Sequence, residues 1–255
     1  MRSLSGIRLT GNNGNAQTNT TTEVTRAEAN NTTIAKEWYI ETFSDRLLIN
    51  GLLVLMGKSL NTQAAFGRGL DSDASLLAKE AYITGTLNDK GLFYGVIGDG
   101  QSNGKSAVKV FGMENFWGCV FHRTAGLITD NHVIKLKLTY GTKDGSTVVG
   151  YNQTGNGYID NGISPFDNGY IQKMSYNKYG FIPAVVTEEN QSTYYADYCY
   201  EDASYTGISY ALFGGSGSGP GSRKGAFSLF QRGDPEYTSR HVAASLSCKP
   251  ISLFN

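Results

Sequence analysis

The sequence predicts an α+β fold, with helices in the first third followed by many short antiparallel strands and long loops. Three observations predict it. Trp38, Phe43, Leu47, Leu48, Leu52 and Leu55 recur at roughly helical spacing. From Val133 to Tyr140 the pattern has period two, with Ile134, Leu136, Leu138 and Tyr140 alternating with Val133, Lys135, Lys137 and Thr139. Turn signals then crowd the chain: Lys143-Asp144-Gly145, Gly155-Asn156-Gly157, Asp160-Asn161-Gly162 and Asp167-Asn168-Gly169. Helices first and strands afterwards argue against a doubly wound parallel sheet.

Taken in order, residues 1–33 are polar and low in complexity, GNNGNAQTNTTTEV and then RAEANNTT. They offer little to bury, so a flexible or oligomer-contact arm over 1–35 is expected, with a short β element at Ile7 to Thr10. The apolar spacing then predicts a helix over 36–57, stopping near Gly57 with Lys58 favourable at its negative end. A second, shorter helix is predicted from Ser72 to Ala81, opened by Asp71 or Ser72 as its cap. Beyond residue 90 strands are expected at Gly91 to Gly95, Val108 to Gly112 and Val133 to Tyr140. Residues 36–255 make one domain of a size that supports a single core.

Lys+Arg and Asp+Glu balance at 22 each, and charged residues are only 17%. That balance gives nucleic acid or an anionic membrane nothing to hold. Solubility rests on neutral polar groups. The 32 glycines imply many tight turns, and the 16 tyrosines supply rigid rings with a polar tip, the kind that binds at low entropy cost. Cys119, Cys199 and Cys248 are odd in number and form no CxxC pair, so buried thiols in a reducing cytosol are expected. The start, MRSLSGIRLTGNN, has no apolar signal core, and the longest apolar run, Leu52 to Met56, is too short to span a bilayer. If the protein acts outside a cell, a route other than secretion, such as lysis, is expected to carry it out.

No nucleotide-binding or zinc-site motif is legible. Gly98 to Ser106 imitates a phosphate loop, but Asp99 stands where its first glycine belongs. His122, His132 and His241 lie in no HExxH or Cys/His cluster. The acid pairs Asp71/Asp73, Glu188/Glu189 and Glu201/Asp202 read as solvated loop residues. Arg232-Gly233-Asp234 reads as a turn. No cofactor is signalled; Asp/Asn/Gly loops leave room for calcium, but no EF-hand loop is present.

Two segments carry the information. In the first, Val108 to Gly126, Trp117 and its neighbouring Phe residues can fill a core, while Glu114, Asn115 and Arg123 can clamp buried backbone. In the second, Tyr210 to Pro250, apolar anchors bracket a polar middle. There Ser228, Phe230, Arg232 and Asp234 alternate with Leu229, Gln231, Gly233 and Pro235, so a strand would put the first set on one face. Hydroxyl, ring, guanidinium and carboxylate on one face is the chemistry of a selected binding surface.

These segments resemble the C-type-lectin-like domains of phage and prophage tail receptor-binding proteins, many of them variable targets of diversity-generating retroelements. GMENFWG with Arg123, Ala125 and Gly126 resembles their core motif, which is related to formylglycine-generating enzymes. ALFGGS, GAF and ASLSCKP resemble the variable repeat that closes such proteins. YITGTLNDKGLFYG, LKLTYGTKDGST and KYGFIP are also similar, so the resemblance spans roughly 37–250.

The resemblance implies that ligand is bound by Ser216, Ser218, Gly219, Ser222, Ser228, Phe230, Arg232, Asp234, Tyr237, Arg240 and His241, within a variable region of about 214–248. Phe230 and Tyr237 would anchor, and Arg232, Arg240 and Asp234 would set specificity. Gly214, Gly215, Gly225, Ala226, Phe227, Ala244, Ser245 and Cys248 would be the frame, and Pro220 is a departure from the pattern. The reactive cysteines or copper ligands of the enzyme relatives have no match, so their activity is not implied. The implied protein is a host-attachment component of a virion, not an enzyme. Its partners are a host-surface receptor, protein or glycan, other tail proteins and further copies of itself, a trimer being favoured for avidity. The alternatives are a structural virion component such as a head decoration or baseplate part, a glycan-active tail enzyme, or a bacterial surface adhesin.

Overall fold

Asn19 caps the first helix. Its Oδ1 accepts from the Thr22 amide at 2.8 Å, and α1 runs Thr20–Ala29. The computed structural model describes residues 19–29, 36–69, 87–97, 107–118, 121–139, 151–160, 168–177, 180–187, 194–215, 224–231, 233–239 and 242–250. Within the stretch read as a polar arm, α1 buries Thr20, Glu23, Val24 and Ala27, spaced i, i+3, i+4 and i+7. Half of that buried face is polar, so hydropathy does not reveal it. The β element expected at Ile7 to Thr10 lies outside the described residues.

The predicted helix over 36–57 is a strand followed by a shorter helix. Lys36–Ile40 forms β1, which pairs antiparallel with the last described strand, β13, Leu246–Pro250. Helix α2 runs Phe43–Gly57. Its start is set by a capping box: the Asp45 amide donates to Thr42 Oγ1 at 3.1 Å, and the Thr42 amide donates to Asp45 Oδ2 at 3.0 Å. It ends at Lys58, whose φ of 49° is left-handed. Phe43, Arg46, Asn50 and Leu53 face inward; Leu48, Leu52, Leu55 and Met56 are exposed. A short helix, α3, follows at Thr62–Phe66 with Asn61 as its cap. The helix expected at Ser72 to Ala81 lies outside the described residues.

The remaining described elements are strands. β2 (Lys109–Val110) pairs with β3 (Met113–Glu114). The Gly91 to Gly95 strand does not form; Tyr94 makes a single bridge with Lys109. The main sheet holds β4 (Phe121–Asp130), β5 (Val133–Leu136), β6 (Ile159–Asp160), β7 (Gly169–Asn177), β8 (Gly180–Thr187), β9 (Tyr198–Glu201), β10 (Ile208–Phe213), β11 (Leu229–Gln231) and β12 (Val242–Ala244). Its order is β6-β5-β4-β10-β11-β9-β7-β8, with β12 along the start of β4. β11–β9 and β12–β4 are parallel pairs within this otherwise antiparallel sheet. The fold is therefore mixed α+β with few helices and a curled sheet.

β5 keeps the expected alternation: Ile134 and Leu136 are buried. It stops at Leu136, however, and Leu138 is 79% exposed. At Gly126, φ is +88° and a β-carbon would collide with the Lys137 carbonyl oxygen, so only glycine lets β4 approach that segment. One sheet face packs with α2 around Phe43, Leu53, Trp117, Leu127, Ile134, Phe213, Phe227 and Leu229. The opposite face carries a second cluster of Phe121, Tyr210, Leu212 and Val242, with Phe230 against it. Cys199 is a free, buried thiol, pushed up to about 12 first by burial and then by the charge of Glu201. Among the described residues no helix is long and apolar enough to cross a membrane.

Candidate ligand-binding face

The segment 214–231 is held by its main chain at both ends. After β10, the Gly214 amide donates to Ser228 Oγ at 3.1 Å, and the Gly118 amide donates to the Gly214 carbonyl at 2.6 Å. On the returning side, Ser228 Oγ donates to the Gly225 carbonyl at 3.0 Å. The helices grip the next residues. Asn50 Nδ2 donates to the Ala226 carbonyl at 2.9 Å, and the Ala226 amide donates to Thr62 Oγ1 at 3.1 Å. The Phe227 amide donates to Asp197 Oδ2 at 2.8 Å, and Gln63 Nε2 donates to Asp197 Oδ1 at 2.6 Å. A β-carbon at residue 225 would collide with that carboxylate, so Gly225 is required. Burial raises Asp197 to about 7 despite the opposing Gln63 and Phe227 hydrogen bonds and the charge of Arg46.

Beyond this grip the chain crosses to the outer sheet face. β11 pairs antiparallel with β10 and parallel with β9, in the register Leu212↔Phe230↔Tyr200. Leu229 and Gln231 point into the core and Phe230 points out. Its ring stacks on Tyr200, with centroids 4.3 Å apart and planes 16° apart, and leans on Phe121 at 4.9 Å. Asp234 then opens a turn, its carbonyl accepting from the Tyr237 amide at 2.9 Å. The Tyr237 ring lies parallel to Tyr210 at 6.4 Å and remains 53% exposed. Arg123 sits 5.3 Å from the Tyr210 ring.

Helix α1 braces this turn. Arg123 donates to Glu23 Oε1 at 2.6 Å and to the Tyr237 carbonyl at 2.7 Å. Tyr151 donates to Glu23 Oε2 at 2.5 Å. Burial disfavours charge on Arg123, but Glu23, with Tyr151 and Tyr210, outweighs it and raises the guanidinium pKa. Burial and then the Glu23 charge drive the Tyr151 phenol well above its ordinary range. Glu236 accepts from Thr20 Oγ1 at 2.5 Å, from Thr21 Oγ1 at 3.3 Å and from Gln153 Nε2. The loop is thus set before any ligand arrives.

Of the predicted site residues, Phe230, Asp234 and Tyr237 fall on this outer side; Asp234 and Tyr237 are exposed and Phe230 half-buried. Ser228 is buried, with its hydroxyl spent on Gly214 and Gly225, and it presents nothing to solvent. The strand through these residues is three residues long and ends at Gln231, so the expected alternation does not continue to Asp234. Ser216, Ser218, Gly219, Ser222, Arg232, Arg240 and His241 lie outside the described residues. Tyr200, Phe121, Tyr210 and Glu236 were not foreseen. Tyr198-Cys199-Tyr200 reads as an alternating strand, but nothing local says it lies beside β11.

The inner side of β11 is polar at one end. Gln231 is 1% exposed, and its amide has no hydrogen-bond partner among the described residues. Its register partner Glu201 meets His132 Nδ1 at 2.8 Å; burial raises the Glu201 carboxyl and His132 opposes that. His132 belongs to the β4–β5 turn, so the contact requires the sheet to curl. His122 is held neutral, its pKa well below the ordinary range through burial and then the charge of Arg46, and it meets Ser245 Oγ at 2.8 Å. No group of three or more His, Cys, Asp or Glu among the described residues is placed to hold a metal ion. No protein-family model matches this chain, and no curated protein matches it.

Proposed function

We propose that this chain is the receptor-binding protein of a phage or prophage tail, a C-type-lectin-like scaffold that displays a diversified ligand-binding face and carries out no catalysis. One observation carries the reading. Over 214–237 the scaffold grips main-chain atoms, at Gly214, Gly225, Ala226, Phe227 and Tyr237, while Phe230, Asp234 and Tyr237 lie on the outer side. A frame that grips backbone tolerates many side chains above it. Pairing of β1 with β13, which brings the two ends of the domain together, supports the lectin-like scaffold. The partner is a receptor on a host surface, and copies joined as a homotrimer on one virion raise a weak single contact by avidity.

Sequencing the 3′ end of this gene across a population of the source phage or lysogen tests the proposal. Substitutions are expected at codons for outward residues such as Phe230, Asp234 and Tyr237. Ser228 and Gly225, which hold the frame, should stay fixed. A uniform 3′ end, or changes scattered evenly over the gene, would count against a diversified face and favour a fixed structural component of the virion.

A further inference from the structure

We infer that copies of this chain join through helix α2, packed side by side and parallel with Leu48, Leu52 and Leu55 toward a common axis; this rests on the homo-oligomer of the proposed function and is independent of the display face. The polarity of α2 is inverted. Arg46 and Asn50 are buried, while Leu48, Leu52, Leu55 and Met56 stand outside. From Leu47 to Gly57 the one polar side chain is Asn50, and its amide is spent on the Ala226 carbonyl. A surface helix normally turns its charged side to water, and a helix apolar all round is a buried one. Leu48 is 64% exposed and Leu55 73%. The four side chains together leave roughly 400–500 Å² of apolar surface open, as much as the largest patch on a typical monomer. That is more than half of the about 800 Å² that each partner gives to a stable contact.

The spacing selects a second copy as the occupant. Leu48, Leu52 and Leu55 are separated by four and then three residues, the period of a helix seam that packs on a like seam. At 3.6 residues per turn Leu48 lies opposite the buried row of Phe43, Arg46, Asn50 and Leu53, so the seam points straight away from the core. Gly51 is an independent observation. It sits in mid-helix, where glycine weakens a helix relative to alanine. A β-carbon there would meet nothing within 4 Å beyond its chain neighbours and the helix backbone, so packing inside the molecule does not require glycine. In parallel helices the residue flanking the seam at 51 faces the partner's residue five positions on. The long, adaptable Met56 side chain of one copy then lies on the bare Gly51 of the next.

An anionic membrane surface fits this face poorly, because such a surface calls for basic residues beside the apolar stripe. α2 has no basic residue in its last turn, and its Arg46 is buried. The placement also suits display. α2 packs on the sheet face opposite the cluster that Phe230 joins, so association through α2 leaves Phe230, Asp234 and Tyr237 open on every copy. Avidity needs that arrangement.

The test is sedimentation of the full chain at micromolar concentration, where it should run as a multiple of its 27.6 kDa mass. Two substitutions that favour a lone helix should harm the seam. Leu55→Lys puts a cation near the helix C-terminus, which is favourable in isolation, but sets like charges together at the axis. It should weaken association about a hundredfold. Gly51→Ala should raise the melting temperature of the Leu55→Lys monomer, yet weaken association of the otherwise native chain about tenfold. Leu48→Cys should cross-link copies through residue 48 under mild oxidation, beyond any cross-linking of the native chain, because parallel helices in register bring that position together. A monomeric native chain overturns the proposal and leaves the display face untouched. An oligomer that keeps its mass with Leu55→Lys overturns α2 as the seam and leaves the homo-oligomer to another surface. A dissociable oligomer without the residue 48 cross-link overturns the parallel arrangement.

Discussion

Arg123 and Glu23 meet at 2.6 Å with both side chains fully buried, although 100 residues separate them in sequence. The pair joins helix α1 to the middle of the sheet, and the same guanidinium holds the Tyr237 carbonyl. Removing the carboxylate strands a buried cation. Glu23→Ala should therefore cost about 3–5 kcal/mol in urea denaturation. Hydrogen exchange should quicken at Tyr237, whose amide bonds Asp234, before it quickens in β4. A cost below about 1 kcal/mol would mean that α1 is dispensable to the fold.

Asp197 predicts a pH dependence of known sign. Its folded pKa is about 7 against an ordinary 3.8, so between those values the folded state holds more protons than the unfolded state. Its contribution is greatest below about pH 4 and is lost as pH rises through about 7. Asp197→Asn lacks this component. The stability of the wild-type chain relative to that variant should fall between about pH 4 and pH 7 and then level off, and melting curves across that range check it. A difference that does not change with pH would refute the assignment.

Ser228 separates frame from display. Its hydroxyl closes the mouth of the 214–228 segment through Gly214 and Gly225. Ser228→Ala leaves the Gly214 amide with only a weaker bond at 3.3 Å to the Ser228 carbonyl and should cost about 1–3 kcal/mol. Tyr237→Ser, on the exposed side, should cost distinctly less. Equal costs would place Ser228 among the freely variable positions.

Gln231 is a residue whose replacement should help. Its amide is buried without a partner among the described residues, opposite Glu201 on β9 and Ala211 on β10. Gln231→Met keeps the length of the side chain and removes the desolvated amide. The expected gain is about 1 kcal/mol, read from the denaturation midpoint. Lower stability would show that solvent pairs the amide.

The legible parts of this fold were those encoded locally. Ile134 and Leu136 alternate with Val133 and Lys135, and the strand begins where period two places it, though it ends at Leu136 rather than Tyr140. The start of α2 was also written locally, in Thr42 and Asp45, but Trp38 sits at helical spacing from the apolar residues of α2 and drew the expected helix back over β1. What makes Lys36–Ile40 a strand is Leu246–Pro250, more than 200 residues away. α1 was hidden for a different reason. Its buried face includes Thr20 and Glu23, and burying a carboxylate makes sense only once Arg123 is known to face it. The candidate face was half legible: Phe230 and Tyr237 belong to the stretch that drew notice. Tyr200 arrives through a parallel pairing that period and turn signals do not encode.

The grip on main-chain atoms has a bearing on how this surface can evolve. An amide or carbonyl is the same whichever side chain it carries, so Tyr237 is held through an atom that substitution leaves in place. Mutational load then concentrates on a few gatekeepers, Gly225, Ser228, Asp197 and Arg123, while exposed positions are released from stability selection. A saturation library at residue 237 should keep a narrow spread of melting temperatures while its binding phenotypes diverge, which separates heritable variety from the hazard of misfolding.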